Sequence, residues 1–303
     1  MRIFEEEIYS FLSASGGSVE RRCISAPGPS VFVYRNESGC VLGIVTVPLM
    51  FFAEGGTVES LLALKEELWM EGVRDRLLLY EDRWVGSGPL VRSMLQARMG
   101  LGRRVYARNC EVRPVNAETA AAFLERTHAY GSARSFCRLG LFRMRATGRE
   151  EATMDSTPGM VALASFSSGR KMNDGRLSYE WIRYASLRGV RVVGGMGKLL
   201  GAFAAGIMGN MPETPFEVMT YSDEEWYDGR SYAELGFDED GKRLPVAFLC
   251  TPDGSMRIHE NKLLTDRKFR YSTKDCVQTG AMVRIFNPGS RRYVRLFGCQ
   301  PVL

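Results

Sequence analysis

Apolar and polar positions along the chain alternate between two periods, one helical and one of strands. "MRIFEEEIYSFL" repeats its apolar residues at helical spacing and predicts an amphipathic helix within residues 1–20, ending near Gly16 and Gly17. "SVFVYRNESGCVLGIVTV" predicts two strands joined by a turn at Asn36–Gly39. Thr57–Gly72 predicts a helix: Thr57 can cap it, Leu61, Leu62, Leu64 and Leu68 form its apolar face, and Gly72 stops it. "RDRLLLYEDRW" reads as a strand running into a loop, "GPLVRSMLQARMG" as a helix, and "RRVYARNCEVRPV" as one strand with a buried face.

Beyond residue 112 the pattern changes. "NAETAAAFLERTHAYG" predicts a helix, "CRLGLFRMRA" and "GMVALASFSSGR" a strand pair, and "LSYEWIRYASL" a third strand. A glycine turn follows, then the helix "KLLGAFAAGIMG", the strand "PFEVMTYSD", the short helix "GRSYAELGF" and the strand "LPVAFLCTP". Hairpin strands followed by a strand–helix–strand crossover make a mixed sheet, so the fold class is α/β (α+β). The expected domains are residues 1–112, 113–250 and a tail 251–303, in which "AMVRIFNPGSRRYVRLF" reads as a β hairpin turning at "NPGS".

Composition narrows the setting. The longest apolar run, Cys40–Ala53, is interrupted by Pro48 and falls short of a membrane span. The acidic N-terminus does not resemble a secretory signal. Seven cysteines without a CxxC pair point to reduced thiols in the cytoplasm and away from a zinc site. The net charge is +5, but from Met256 onward ten Lys or Arg face three acids, a net of +7 that leaves −2 for the rest. A basic tail on a slightly acidic body suggests an anionic partner, DNA or RNA.

The chemistry centres on "VRVVGGMGKLL", Val190–Leu200. Free N–H groups at a helix N-terminus, with glycines beside them, suit a pyrophosphate, and Lys198 adds a charge at the same mouth. The pattern lacks both GxxxxGK[ST] and GxGxxG. The other reading is a turn whose glycines meet backbone angles.

Two resemblances bear on this choice. "GRSYAELGF" resembles the "Y..LGF" segment of the GNAT acyltransferase superfamily, and the likeness covers roughly residues 112–250. In that family a strand feeds an acyl-CoA pyrophosphate loop and a helix, a second strand diverges, and the "Y..LGF" helix follows. The resemblance implies acetyl-CoA or another acyl-CoA held by Arg191, Val193, Gly194, Gly195, Gly197 and Lys198, with Tyr232 protonating the departing thiolate. A phenol of pKa about 10 suits a thiol of about 8.5. Read from Arg191, the loop puts Met196 in a glycine place; read on Gly195 and Gly197, it begins at Val192.

"FLERTHAYG", "YEWIRYASL", "VVGGMGKLL" and "TYSDEEWYDGRSYAELGF" also resemble a GNAT-like domain of phage and mobile-element proteins. "LLLYEDRWVGSGPLVRSML" and "RRVYARNCEVRPV" resemble the end of a very-short-patch-repair-type endonuclease domain. Such a nuclease needs an Asp on one strand and a Glu-x-Lys pair on the next to hold a divalent metal. "VFVYRNES" and "CVLGIVTV" offer no Asp, so the N-terminal domain reads as degenerate, with no metal. Glu81 and Asp82 lie on a later strand without an evident partner.

Asp223 or His128 could deprotonate an amine; equally, Asp223 could cap a turn and His128 could be a helix C-terminal cation. Glu180 is a further acid–base candidate, and its odd spacing from Arg183 puts the two on opposite strand faces. Cys137 reads as core. Arg170, Arg284, Arg291, Arg292 and Tyr293 are candidate nucleic-acid contacts, within a tail that interleaves basic residues with Phe269, Tyr271, Phe286 and Phe297. Two functions follow: an acyl-CoA-dependent N-acyltransferase for an amine acceptor, nucleic-acid-linked in one version, or a non-catalytic nucleic-acid-binding accessory protein of mobile-element origin. A GNAT-fold protein holding another ligand is a third.

Overall fold

The structure is a computed structural model that describes residues 3–23, 28–144, 159–211, 214–265 and 273–298. In chain order the first elements are α1 (Ile3–Ser13), β1 (Ser18–Cys23), β2 (Ser30–Arg35), β3 (Val41–Val47), α2 (Val58–Met70), β4 (Asp75–Tyr80), α3 (Glu81–Gly86) and α4 (Gly88–Arg98). There follow β5 (Arg103–Tyr106), β6 (Cys110–Pro114), α5 (Ala117–Thr127), β7 (Cys137–Arg143), β8 (Met160–Phe166), β9 (Arg170–Lys171), β10 (Leu177–Ser186) and β11 (Val190–Val193). Next are α6 (Gly195–Asn210), β12 (Phe216–Asp223), α7 (Arg230–Ala233) and β13 (Asp238–Arg243). The last are β14 (Ala247–Cys250), β15 (Arg257–His259), α8 (Glu260–Thr265), α9 (Thr273–Gln278), β16 (Val283–Phe286) and β17 (Ser290–Phe297). The protein is a mixture of helices and mixed sheets.

The chain forms two compact units. The first comprises Met1–Gly100, Ser222–Asp228 and Lys242–Arg291; the second comprises Leu101–Tyr221, Gly229–Gly241 and Arg292–Leu303.

The first unit is built on a sheet of order β1-β2-β3-β4, with β3 and β4 parallel. Strand alternation splits its side chains between two cores. Val31, Val33, Val45 and Leu78 face Leu61 and Leu68 of α2, joined by Phe248 and Ile285. Phe32, Tyr34, Ile44 and Leu77 face Ile8 and Leu12 of α1 and Leu95 of α4. α2 starts where expected: Thr57 Oγ1 accepts from Ser60 N at 3.2 Å, and Ser60 Oγ accepts from Thr57 N at 3.4 Å.

The second unit carries an eight-stranded sheet of order β13-β17-β12-β10-β8-β7-β6, with β9 on β10. Leu199, Leu200 and Phe203 of α6 pack with Ala162, Ala164 and Phe166. Phe123 and Leu124 of α5 pack with Met160 and Leu163. β11 pairs in parallel with β5 as a separate two-stranded sheet.

Several expectations change. The first helix ends at Ser13, and "SVERRC" forms β1, whose charged residues suit a sheet edge. Residues 103–115 are not one strand: β5 joins β11, β6 joins β7, and a single 3₁₀ turn at Ala107–Asn109 separates them. The loop expected after "RDRLLLY" is α3. The C-terminal hairpin does not form: β16 pairs with β14, while β17 lies between β13 and β12 in the large sheet. Their apolar residues belong to different cores, Ile285 in one and Tyr293 in the other. Residues 242–291 likewise pack with the first unit rather than forming a tail, and the division expected near residue 112 falls after Gly100. Arg267, Lys268, Phe269, Arg270 and Tyr271 lie outside the described residues.

Candidate functional site

In the second unit's sheet β10 and β12 run parallel, and their pairing is incomplete. Its register runs from Leu177↔Phe216 to Glu180↔Met219 and stops, although both strands continue. On its other edge β10 is antiparallel to β8, with a bulge between Trp181 and Arg183. A bulge bends the strand and increases its local twist. Where the ladder ends, side chains take over: Thr220 Oγ1 donates to the Trp181 carbonyl at 3.0 Å and lies 3.4 Å from Tyr232 Oη.

An aromatic cluster backs this point. The Trp181 ring lies 6.0 Å from Tyr232 and 5.5 Å from Phe166, and Tyr232 lies 5.6 Å from Tyr293. Trp181 is buried, whereas Tyr232 is half-buried and keeps a face toward solvent. Glu180 is the last β10 residue in the parallel ladder; its N–H donates to Ser167 Oγ at 2.8 Å. Arg183, past the bulge, gives its Nε to the Gly131 carbonyl at 3.2 Å, and burial lowers its pKa from the ordinary guanidinium value.

The glycine turn lies one strand later than its position directly after β10 implied, because β11 intervenes. Val190 and Val192 of β11 face inward, and Arg191 and Val193 face outward. Gly194 caps α6 at φ 75°, a left-handed conformation that favours glycine. Gly195 is needed for space: a Cβ there would sit 2.7 Å from Tyr184 Oη and 2.8 Å from Val192 Cγ1. The turn therefore abuts the half of β10 that β12 does not pair. The carry-over of Lys198 does not hold as drawn. Its Nζ donates to the carbonyls of Ala107 at 3.0 Å and Cys110 at 2.5 Å, so it fixes the 3₁₀ turn instead of reaching the mouth.

The acid–base candidates separate. Asp223 Oδ1 accepts from Glu225 N at 2.9 Å, its carbonyl accepts from Tyr227 N at 2.8 Å, and the residue belongs to the first unit. It caps a turn. His128 follows α5, and its Nδ1 accepts from Tyr130 N at 3.1 Å, so a neutral ring carries its proton on Nε2. Cys137 is half-buried, its pKa raised by burial, and packs against the core.

The expected tail contacts are tied up. Arg284 NH2 donates to Glu260 Oε2 at 2.8 Å, and Arg291 Nε to Glu224 Oε1 at 2.7 Å. Arg292 pairs with Asp240 and, at 3.6 Å, with Glu217. Tyr293 is 4% exposed and cannot serve as a stacking face. Arg170 stands exposed on the short strand β9, and no ion pair holds it among the described residues.

The first unit holds its charges differently. On β2 and β3 the buried polar side chains are Ser30 and Thr46, hydroxyls rather than carboxylates, and Ser30 N donates to Thr46 Oγ1 at 2.8 Å. Among the described residues no group of three or more His, Cys, Asp or Glu comes together to hold a metal ion. Glu81 accepts from Leu49 N at 2.7 Å, and Asp82 faces Arg257 at 3.5 Å. Burial raises the Asp82 pKa, and the Arg257 and Arg83 guanidinium groups oppose that rise. Arg257 also pairs with the buried Glu225 at 2.5 Å.

Sequence reasoning missed Trp181 and Thr220 because a bulge has no local signature. It also missed Phe136, 74% exposed at the start of β7. An aromatic in a polar loop, two residues after Arg134, was the available signal. No protein-family model matches the chain, and no curated protein matches its sequence. No helix among the described residues is long and apolar enough to cross a membrane.

Proposed function

We propose that the chain is an acyl-CoA-dependent N-acyltransferase acting on an amine acceptor. The observation that carries this reading is the parallel pair β10/β12, which loses its ladder after Glu180↔Met219 beside a bulge. The resemblance drawn from sequence requires a second strand that diverges from the first. Backbone groups released from a ladder can pair with an extended ligand. The α6 N-terminus lies against Tyr184 of the same half-strand, and its first N–H groups suit phosphate.

An acyl-CoA fits this donor set: the first turn of α6 at Gly195–Gly197 with Arg191 would hold its phosphates, and the β12-facing edge of β10 beyond Glu180 would line its chain. When bound, it supplies an acyl thioester activated toward amines. Tyr232 holds a proton at Oη beside Thr220, where the ladder ends, and fits the role of proton donor to a thiolate. Asp223, as a turn cap, leaves that scheme. Glu180 and His128 remain the candidates for accepting the amine proton. A cytoplasmic setting agrees with the six described cysteines, none in a disulfide.

Calorimetric titration with acetyl-CoA tests the proposal. The wild type is expected to bind, and Gly197→Glu to weaken binding at least tenfold by placing a carboxylate in the phosphate position. Gly197 is the site to change because its nearest obstacle is the end of the Leu235 side chain, at 3.2 Å. A wild type that gives no binding heat overturns the proposal.

A further inference from the structure

The end of the second unit's sheet where β7 and β10 begin carries an unexplained combination of exposed aromatics and cations. Phe136 precedes β7, is 74% exposed, and donates its backbone N–H to the Phe166 carbonyl at 2.8 Å. Tyr130, in the same α5–β7 loop, is 38% exposed, and Arg134 between them is exposed. β8 ends beside Phe136 and leads through a turn into Arg170 and Lys171, both exposed and paired with the start of β10. None of Arg134, Arg170 and Lys171 forms an ion pair among the described residues; Arg170 NH2 meets Met172 Sδ at 3.5 Å.

The acids nearby are engaged. Glu125 accepts from Ser132 N at 2.8 Å, and Asp174 pairs with Arg176 at 2.6 Å. The loop is preorganised by its own bonds: Arg138 donates to the Ser135 carbonyl at 2.6 Å, Arg183 to that of Gly131, and Tyr130 N to His128 Nδ1. An exposed ring on a rigid loop costs little entropy to stack against, and cations beside it attract phosphate.

We propose that this end of the sheet, Tyr130, Arg134 and Phe136 with Arg170 and Lys171, is a docking surface for single-stranded nucleic acid. A base stacks on Phe136 and the flanking phosphates meet Arg170 and Lys171. Charge complementarity and the aromatic face together select this occupant: a polyanion without bases leaves Phe136 unused, and an apolar peptide leaves three cations unpaired. The surface replaces the tail candidates Arg284, Arg291 and Arg292, which already hold carboxylates. It does not rest on the acyltransferase reading, since binding is measured without any cofactor.

Fluorescence anisotropy with a labelled oligothymidylate of about 15 nucleotides tests it. The wild type binds, Phe136→Ala weakens binding about tenfold, and Arg170→Ala/Lys171→Ala lowers the slope of log Kd against log salt by about one to two. Arg284→Ala leaves affinity within twofold. All these side chains are exposed or half-exposed, so thermal melts should match the wild type. Absence of binding, an affinity unaffected by Phe136→Ala, or an equal loss in Arg284→Ala overturns the proposal. So does tighter binding to the matching duplex. Self-association abolished by Phe136→Ala, without oligonucleotide binding, would assign the patch to a second copy of the chain and overturn it as well.

Discussion

Two parallel pairs, one in each unit, have strands linked through a helix, β3–α2–β4 in the first and β10–β11–α6–β12 in the second, and they differ. β3 and β4 stay in register over all six positions from Leu42↔Asp75 to Val47↔Tyr80. β10 and β12 hold four and then stop. The closed pair has apolar side chains on both faces of β4, with Leu77, Leu78 and Leu79 all fully buried. Its outer edge is covered too, since Leu78 N donates to the Glu225 carbonyl at 2.7 Å. The open pair places half-buried Ile182, Arg183 and Tyr184 after its bulge. One pair keeps its backbone ladder along the whole of β4, whereas the other ends early and hands the Trp181 carbonyl to the Thr220 hydroxyl.

The sharpest way to break the comparison is to unseal the closed pair. Glu225 is fully buried against Arg257, and Glu225→Ala removes the nearer of that guanidinium's two carboxylate partners, with Asp82 still at 3.5 Å. We expect a loss of about 3–5 kcal/mol in urea unfolding. A loss under 1 kcal/mol would show that the segment over β4 is not part of the seal.

Lys65 probes the same seal through pH. Its Nζ donates to the Glu224 carbonyl at 2.7 Å, and burial lowers its pKa to about 8. Between about 8 and the unfolded value of 10.5 the unfolded chain binds more protons, so the native state gains stability as pH rises through that window. Below about 8 the cost of burying the charge is fully present. The difference in stability between the wild type and Lys65→Met should therefore shift in the wild type's favour from pH 8 to 10.5. An unchanged difference contradicts a buried, charged Lys65.

Smaller effects belong to the open pair and the tail. Thr220→Val removes the hydroxyl that bridges to the Trp181 carbonyl and should cost about 1 kcal/mol, with a faster exchange of neighbouring amides. Arg284→Ala, in an exposed pair with Glu260, should change thermal stability by less than about 1 kcal/mol. A larger change there would mean that the tail's ion pairs carry structure.

Much of this frame is legible in the residues. α2 follows from Thr57, its leucines and Gly72; β8, β10 and β12 follow from their apolar runs; Gly194 and Gly195 announce a turn that tolerates no side chain. β1 and β13 were hidden because "SVERRC" and "DEDGKR" lie at sheet edges and have no apolar alternation. The fate of the C-terminal strands was hidden for another reason. "NPGS" is a sound hairpin turn, but Ile285 and Tyr293 each find a larger core elsewhere, and burial outweighs a local turn preference. The candidate site was half legible. Tyr232 and the glycines carry their own signals, whereas the end of a ladder and the burial of Asp82 and Glu225 arise only when distant segments meet.

Hydrogen–deuterium exchange of β10 with and without acetyl-CoA tests the central claim most directly. The account predicts slowed exchange in Trp181–Ser186 and in the first turn of α6, with Leu42–Val47 of β3 unchanged. No protection of β10, or protection confined to the first unit, would contradict it.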